Sequence, residues 1–108
     1  MINYEQIANY VLYIGLNDKD TYEQIVDDNI AMQIVRDVVS QRVSGATFSR
    51  AFGHWVDEFG NETTEQTIVC KIMYTDDEHI ESICEILKSK LNQNCIMVEK
   101  TLLEVAFV

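Results

Sequence analysis

Residues 46–74 read ATFSRAFGHWVDEFGNETTEQTIVCKIMY, and their reading decides the fold. From Ala46 to Val56 the pattern has period two. Phe48, Arg50, Phe52 and His54 fall on one face, and Thr47, Ser49, Ala51, Gly53 and Trp55 on the other. Phe59-Gly60-Asn61 is turn chemistry. Thr64 to Tyr74 then returns as a second alternating run, with Ile68, Cys70 and Ile72 on one face and Val69, Lys71 and Met73 on the other. Two alternating runs joined through a Gly-Asn turn predict a β-hairpin.

The segments on either side of the hairpin are helical. Upstream, Asp27 or Asp28 caps a helix expected to run to about Gln41, its apolar stripe carried by Ala31, Ile34, Val35 and Val38. Ser44-Gly45 ends it. Downstream, Thr75-Asp76-Asp77-Glu78 has the form of a capping box with Thr75 as cap, and Ile80, Ile83, Cys84, Leu87 and Leu91 follow at helical spacing until Asn92-Gln93-Asn94.

Residues 10–16, YVLYIGL, form a nearly continuous apolar run and predict a strand buried on both faces. Residues 95–100 predict another strand, and 102–108 a further strand-like tail. The order strand, helix, strand, strand, helix, strand predicts an α+β, ferredoxin-like βαββαβ fold with an extra C-terminal strand, its antiparallel sheet covered by two helices on one face. The 108 residues suit a single domain, 1–108.

Composition narrows the function classes. Eight Lys plus Arg stand against 18 Asp plus Glu, a net charge of -10, and phosphate backbones need a basic footprint instead. Direct nucleic-acid binding is therefore not expected. Neither is a membrane: apolar runs are far below spanning length. The opening residues lack the basic start and apolar core of a signal peptide, and three Cys without a CxxC pair fit a reducing cytoplasm.

Motifs for chemistry are few. There is no glycine-rich phosphate loop, and neither a cofactor nor a metal is expected. Asp18-Lys19-Asp20 opens like a calcium loop, but the sixth and twelfth positions are Glu23 and Asn29. His54 and His79 match no zinc spacing with Cys70, Cys84 and Cys95. Cys70 and Cys84 fall on apolar faces and read as core. No nucleophile is paired with a base, so no catalytic residue and no enzyme is expected.

The face of the sheet away from the helices is not polar, and Tyr13, Phe48 and Trp55, the last two on opposite faces of their strand, are candidate interface or packing residues. That predicts a homo-oligomer, dimer or trimer. Arg50 and Lys71 lie mid-strand on neighbouring strands and, with Lys100, are candidates for an anion site. Phe52 and His54 complete the set of candidate ligand-binding residues: Arg50, Phe52, His54, Lys71 and Lys100.

Three stretches, YVLYIGLNDKDT (10–21), SGATFSRAFGHWVDEFGNE (44–62) and IESICEILKSKLNQNCIMVEK (80–100), resemble the PII-like proteins, and more narrowly small ferredoxin-like proteins of bacteria and phages. The resemblance implies a trimer with nucleotide-type anions bound in clefts between subunits, although the effector loop here is short and the basic phosphate-binding elements are missing. Fold, charge and resemblance together lead to the expectation of a non-enzymatic oligomer that binds or sequesters a small anionic ligand, in a phage a host defence signal. The alternative expectation is an acidic, anti-defence or anti-CRISPR type inhibitor of a basic, nucleic-acid-binding host protein.

Overall fold

The computed structural model describes residues 1–108 as one four-stranded antiparallel sheet with two helices on one face. In chain order the elements are β1 (Glu5–Gly15), α1 (Asp28–Ser40), β2 (Thr47–Val56), β3 (Glu62–Met73), α2 (Asp77–Lys90) and β4 (Met97–Val105). The strand order is β2-β3-β1-β4, and every pairing is antiparallel. This is the ferredoxin-like βαββαβ arrangement.

Alternation on β1 builds the core. Tyr10, Leu12, Ile14 and Leu16 face the helices and are buried with Ile68, Cys70 and Ile72 of β3. Against them pack Ala31, Val35, Val38 and Val39 of α1 and Ile80, Ile83 and Leu87 of α2, with Leu91 just beyond. Phe48, on β2, joins from the edge. Burial pushes the Cys70 thiol up to about 12, which makes it a small core hydrophobe. Burial also raises the Cys84 thiol.

Both helices start on an aspartate. Asp27 accepts from the N–H groups of Asn29 and Ile30, as the sequence suggests. The second cap is Asp76, not Thr75. Its carboxylate takes the His79 N–H at 2.9 Å and the His79 ring at 2.7 Å, which holds it below the usual carboxylate range. A carboxylate is the stronger acceptor for a helix N-terminus, so the cap falls one residue later.

Two strands depart from expectation. β1 begins at Glu5, because Glu5 and Gln6 pair with Val105 and Glu104 whatever their polarity. At the other end, the two C-terminal strands foreseen for 95–100 and 102–108 form one, Met97–Val105, paired with β1 from Glu5 to Tyr13. The hairpin loop closes through Asp57, whose carboxylate accepts from Phe59 and Asn61, with Gly60 at φ +81°. Because β1 pairs only with 67–73 of β3, residues 52–56 and 62–66 extend beyond it as a two-stranded arm.

Candidate functional site

Strand register decides which side chains meet. On the face away from the helices, Thr47, Lys71, Val11 and Glu99 form one row across the sheet. Ser49, Val69, Tyr13 and Met97 form the next, then Ala51, Thr67 and Gly15, then Gly53 and Glu65. Glycine stands where bulk would otherwise fill the sheet, and a strand-interior glycine marks a close approach. A Cβ on Gly15 would sit 2.4 Å from the Glu65 Oε1, so that carboxylate lies directly on the Gly15 backbone. The Asn17 N–H fixes it, donating to Oε2 at 3.0 Å.

A Cβ on Gly53 would lie 3.0 Å from Thr67 Oγ1, 3.3 Å from Trp55 Nε1 and 3.6 Å from Glu65 Cγ. The indole thus folds back over the arm, as its small same-face neighbours Gly53 and Ala51 allow. It covers Thr67, which is only 6% exposed and whose Oγ1 has no hydrogen-bond partner. Trp55 itself is 44% exposed.

Around this carboxylate runs a trough of about 450 Å³, walled by Tyr13, Trp55, Lys19 and residues 93–97. The loops at its end are tied together. Lys19 N–H donates to the Asn92 carbonyl, the Asn92 side chain donates to Asp18 at 2.7 Å and Asp20 at 2.9 Å, and Gln93 Nε2 donates to the Asn17 carbonyl. The Asn92 hydrogen bond, with the Asp20 and Thr21 N–H groups, holds Asp18 below the usual carboxylate range. Tyr13 turns its hydroxyl to Glu99 at 3.2 Å; desolvation and this acid push its phenol up. The trough therefore offers two aromatic side chains, one immobilised carboxylate and one cation at its rim. That set suits a ligand carrying positive charge on an apolar body.

On the helix-covered side, a second groove of about 350 Å³ lies between α2 and β4. Here Tyr10 donates to Asp77 at 2.6 Å, Lys100 pairs with the same oxygen at 3.0 Å, and the Lys100 ammonium stands 5.4 Å from the Tyr10 ring centroid. The Tyr10 and Lys100 hydrogen bonds hold Asp77 low. The Asp77 hydrogen bond pushes both Tyr10 and Lys100 up. All three move away from neutrality, which fits a structural clasp and not proton transfer.

The expected anion site does not assemble. Arg50 pairs opposite Ile68, three residues from Lys71, and an odd offset puts the two cations on opposite faces. Arg50 hydrogen-bonds Asn29 in the first turn of α1. Lys71 opens instead into a shallow pocket with Ser44, Gly45 and Tyr74. Lys100, on the far edge strand, is held in the clasp. Phe52 is exposed on the arm, and His54 lies 3.6 Å from Glu62 with no nucleophile beside it. Of the interface or packing set, Tyr13 and Trp55 wall the trough, whereas Phe48 packs inward on the core.

Sequence reading passed over Glu65, Gly15, Thr67 and Lys19. The signal for the first two was Gly15 itself, a glycine inside an otherwise bulky strand.

A family model covering residues 9–107 matches the chain. The chain belongs to the DUF3574 family. That family is described as proteins of unknown function. No curated protein matches the chain. Among solved structures, this DUF3574 protein is similar to a phage SAM lyase in complex with S-methyl-5′-thioadenosine, with a TM-score of 0.63 at 14% identity over 94% of this chain and 90% of that one. The phage SAM lyase in its apo state gives a TM-score of 0.55 at 15% identity over the same shares. At such identity the likeness is one of fold. It nonetheless corrects the expectation of a purely non-enzymatic binding protein, since this fold is carried over nearly its whole length by an enzyme.

Proposed function

We propose that the protein is a small enzyme acting on a sulfonium nucleoside of the S-adenosylmethionine (SAM) type, with the trough on the uncovered sheet face as its active site. The observation that carries this reading is the Glu65 carboxylate, held on Gly15 between the aromatic side chains of Tyr13 and Trp55, in a fold also used by a SAM lyase. A sulfonium is a soft cation on an apolar body; aromatic faces and one carboxylate recognise such a group. Lys19 at the rim stands where a substrate carboxylate can pair with it.

The chemistry suits a site with no acid–base pair. When the sulfonium C–S bond breaks, both electrons go to sulfur and the thioether leaves neutral, so no general acid is needed. The carbon it leaves takes a new bond from the substrate's own carboxylate oxygen, which closes a ring, so no protein base is needed either. The protein supplies orientation, exclusion of water and a fixed charge. The same proposal includes association of copies through the uncovered sheet face, where the half-buried Val69 and the exposed Met97 neighbour the trough.

The test is to incubate purified protein with SAM and follow S-methyl-5′-thioadenosine by mass spectrometry. Time-dependent release by the wild type, lost in Glu65→Gln, is the expected result. A wild type that releases none overturns the proposal. Molar mass by light scattering checks the association: a strict monomer removes that part.

A further inference from the structure

Two buried side-chain polar atoms have no hydrogen-bond partner, Asn9 Oδ1 and Thr67 Oγ1, and of these Thr67 shares the neighbourhood of Gly53 with Glu65. Thr67 sits mid-sheet on β3, between Ala51 and Gly15, and its Oγ1 is enclosed without a partner. A buried hydroxyl without a hydrogen bond is costly, and elementary economy would put Val there. The hydroxyl is not isolated from chemistry. It shares one point above Gly53 with the Trp55 indole nitrogen and the Glu65 side chain. The glycine keeps that point clear, since a methyl group there would crowd Thr67 at 3.0 Å.

We propose that Thr67 Oγ1 and the Trp55 indole N–H form a hydrogen-bonding subsite for the ribose hydroxyls of the nucleoside. The inference rests on the reading of the trough as a sulfonium-nucleoside site. Each hydroxyl of a vicinal diol both donates and accepts. Thr67 can do either, the indole donates, and Glu65 accepts close by, which is the complementary set. In a sulfonium nucleoside the ribose is bonded to sulfur through one carbon. A subsite adjoining Glu65 is therefore where the ribose must fall if the carboxylate faces the sulfonium. Trp55 acts as a cover: half-exposed, it shields Thr67 in the free protein and moves aside or stacks when the sugar arrives.

The experiment compares wild type, Thr67→Val and Thr67→Ser by calorimetry with S-methyl-5′-thioadenosine and with its 2′,3′-dideoxy analogue, alongside KM for SAM and the ligand-free Tm. Thr67→Val should bind the thioadenosine about three- to tenfold more weakly, the range one neutral hydrogen bond supplies. Thr67→Ser should stay near wild type. The dideoxy analogue should bind wild type and Thr67→Val equally, and KM for SAM should rise in Thr67→Val alone. Without ligand, Thr67→Val should be as stable as the wild type or more so, because it removes an unsatisfied group.

Several results overturn the inference. Binding of the thioadenosine by Thr67→Val as tightly as by wild type overturns it, and so does a loss of affinity in Thr67→Val that is equal for the thioadenosine and its dideoxy analogue. A lower ligand-free Tm or a smaller assembly in Thr67→Val assigns the hydroxyl to folding or a subunit contact. A wild type that turns over SAM while Thr67→Val matches it throughout sinks this inference alone. A wild type that neither binds the thioadenosine nor consumes SAM sinks the parent reading and this inference with it.

Discussion

The two sides of β1 carry two polar clusters with opposite characters. On the helix side, Tyr10 reaches Asp77 and Lys100, and every group in the cluster has a partner. On the uncovered side, Gly15 supports a single carboxylate, and Thr67 beside it is buried without one. Both clusters border hollows of similar size, and Cys95 and Ile96 border both. Size therefore does not tell the proposed active hollow from the structural one; satisfaction does. A closed network stabilises the fold it belongs to, whereas an open one stores unmet hydrogen-bonding capacity for something that arrives later.

The strongest test of this contrast exchanges the two carboxylates. Glu65→Gln should lower kcat/KM for SAM by about a hundredfold, the order expected on losing a placed charge from an active site, and leave Tm nearly unchanged. Asp77→Asn should do the reverse, with turnover within twofold of wild type and a lower Tm. Equal loss of activity in both variants would break the distinction. A smaller effect is expected from Gly15→Ala. Its methyl group would occupy the place of the Glu65 carboxylate, which must swing away and lose the Asn17 N–H. Activity should fall about tenfold, as for a displaced rather than deleted group. An assay with SAM and a melting curve on the same preparation measure both effects.

The fold was legible because period and length agree at each element. The alternating 46–56 and 64–74 runs gave the hairpin, and the spacing of Ile80, Ile83, Leu87 and Leu91 gave α2. Glu5 and Gln6 were not legible as strand, because main-chain pairing to β4 places them and their side chains carry no apolar alternation. Thr101 read as a break between two C-terminal strands for the same reason, although Asn9 pairs with it in an unbroken ladder. The site was harder. Register between strands is a tertiary property, and a three-residue offset on β3 separated Arg50 from Lys71. Glu65 looked like one acid among 18, and only its contact with Gly15 sets it apart.

The clasp should also show itself in pH. Asp77 is held below its ordinary value, so its contribution is present above about pH 4 and is lost as pH falls through the lowered folded-state value. Tyr10 and Lys100 are raised, so theirs is present below about pH 10 and is lost on the alkaline side as pH climbs through their raised values. Wild-type Tm should be flat across neutrality as far as the clasp is concerned. Asp77→Asn should shallow the acid limb without abolishing it, since Asp76 and Asp18 are also held low. An acid limb identical in variant and wild type would remove the clasp from the list of stabilising devices.

The smallest effect tests the wall that the two hollows share. Cys95 is exposed, Cys84 half-buried and Cys70 buried with its thiol pushed up to about 12. Since the thiolate is the reactive form, a disulfide reagent should modify Cys95 first and Cys70 only on unfolding. A small adduct on Cys95 sits in the wall that the trough shares with the second groove. It should raise KM for SAM a few-fold with kcat little changed, and leave Tm within a degree or two. The clasp is indifferent to the adduct because its three groups already satisfy one another. If labelling instead lowers Tm and spares KM, Cys95 belongs to the structural hollow and the boundary between the two clusters moves across β4.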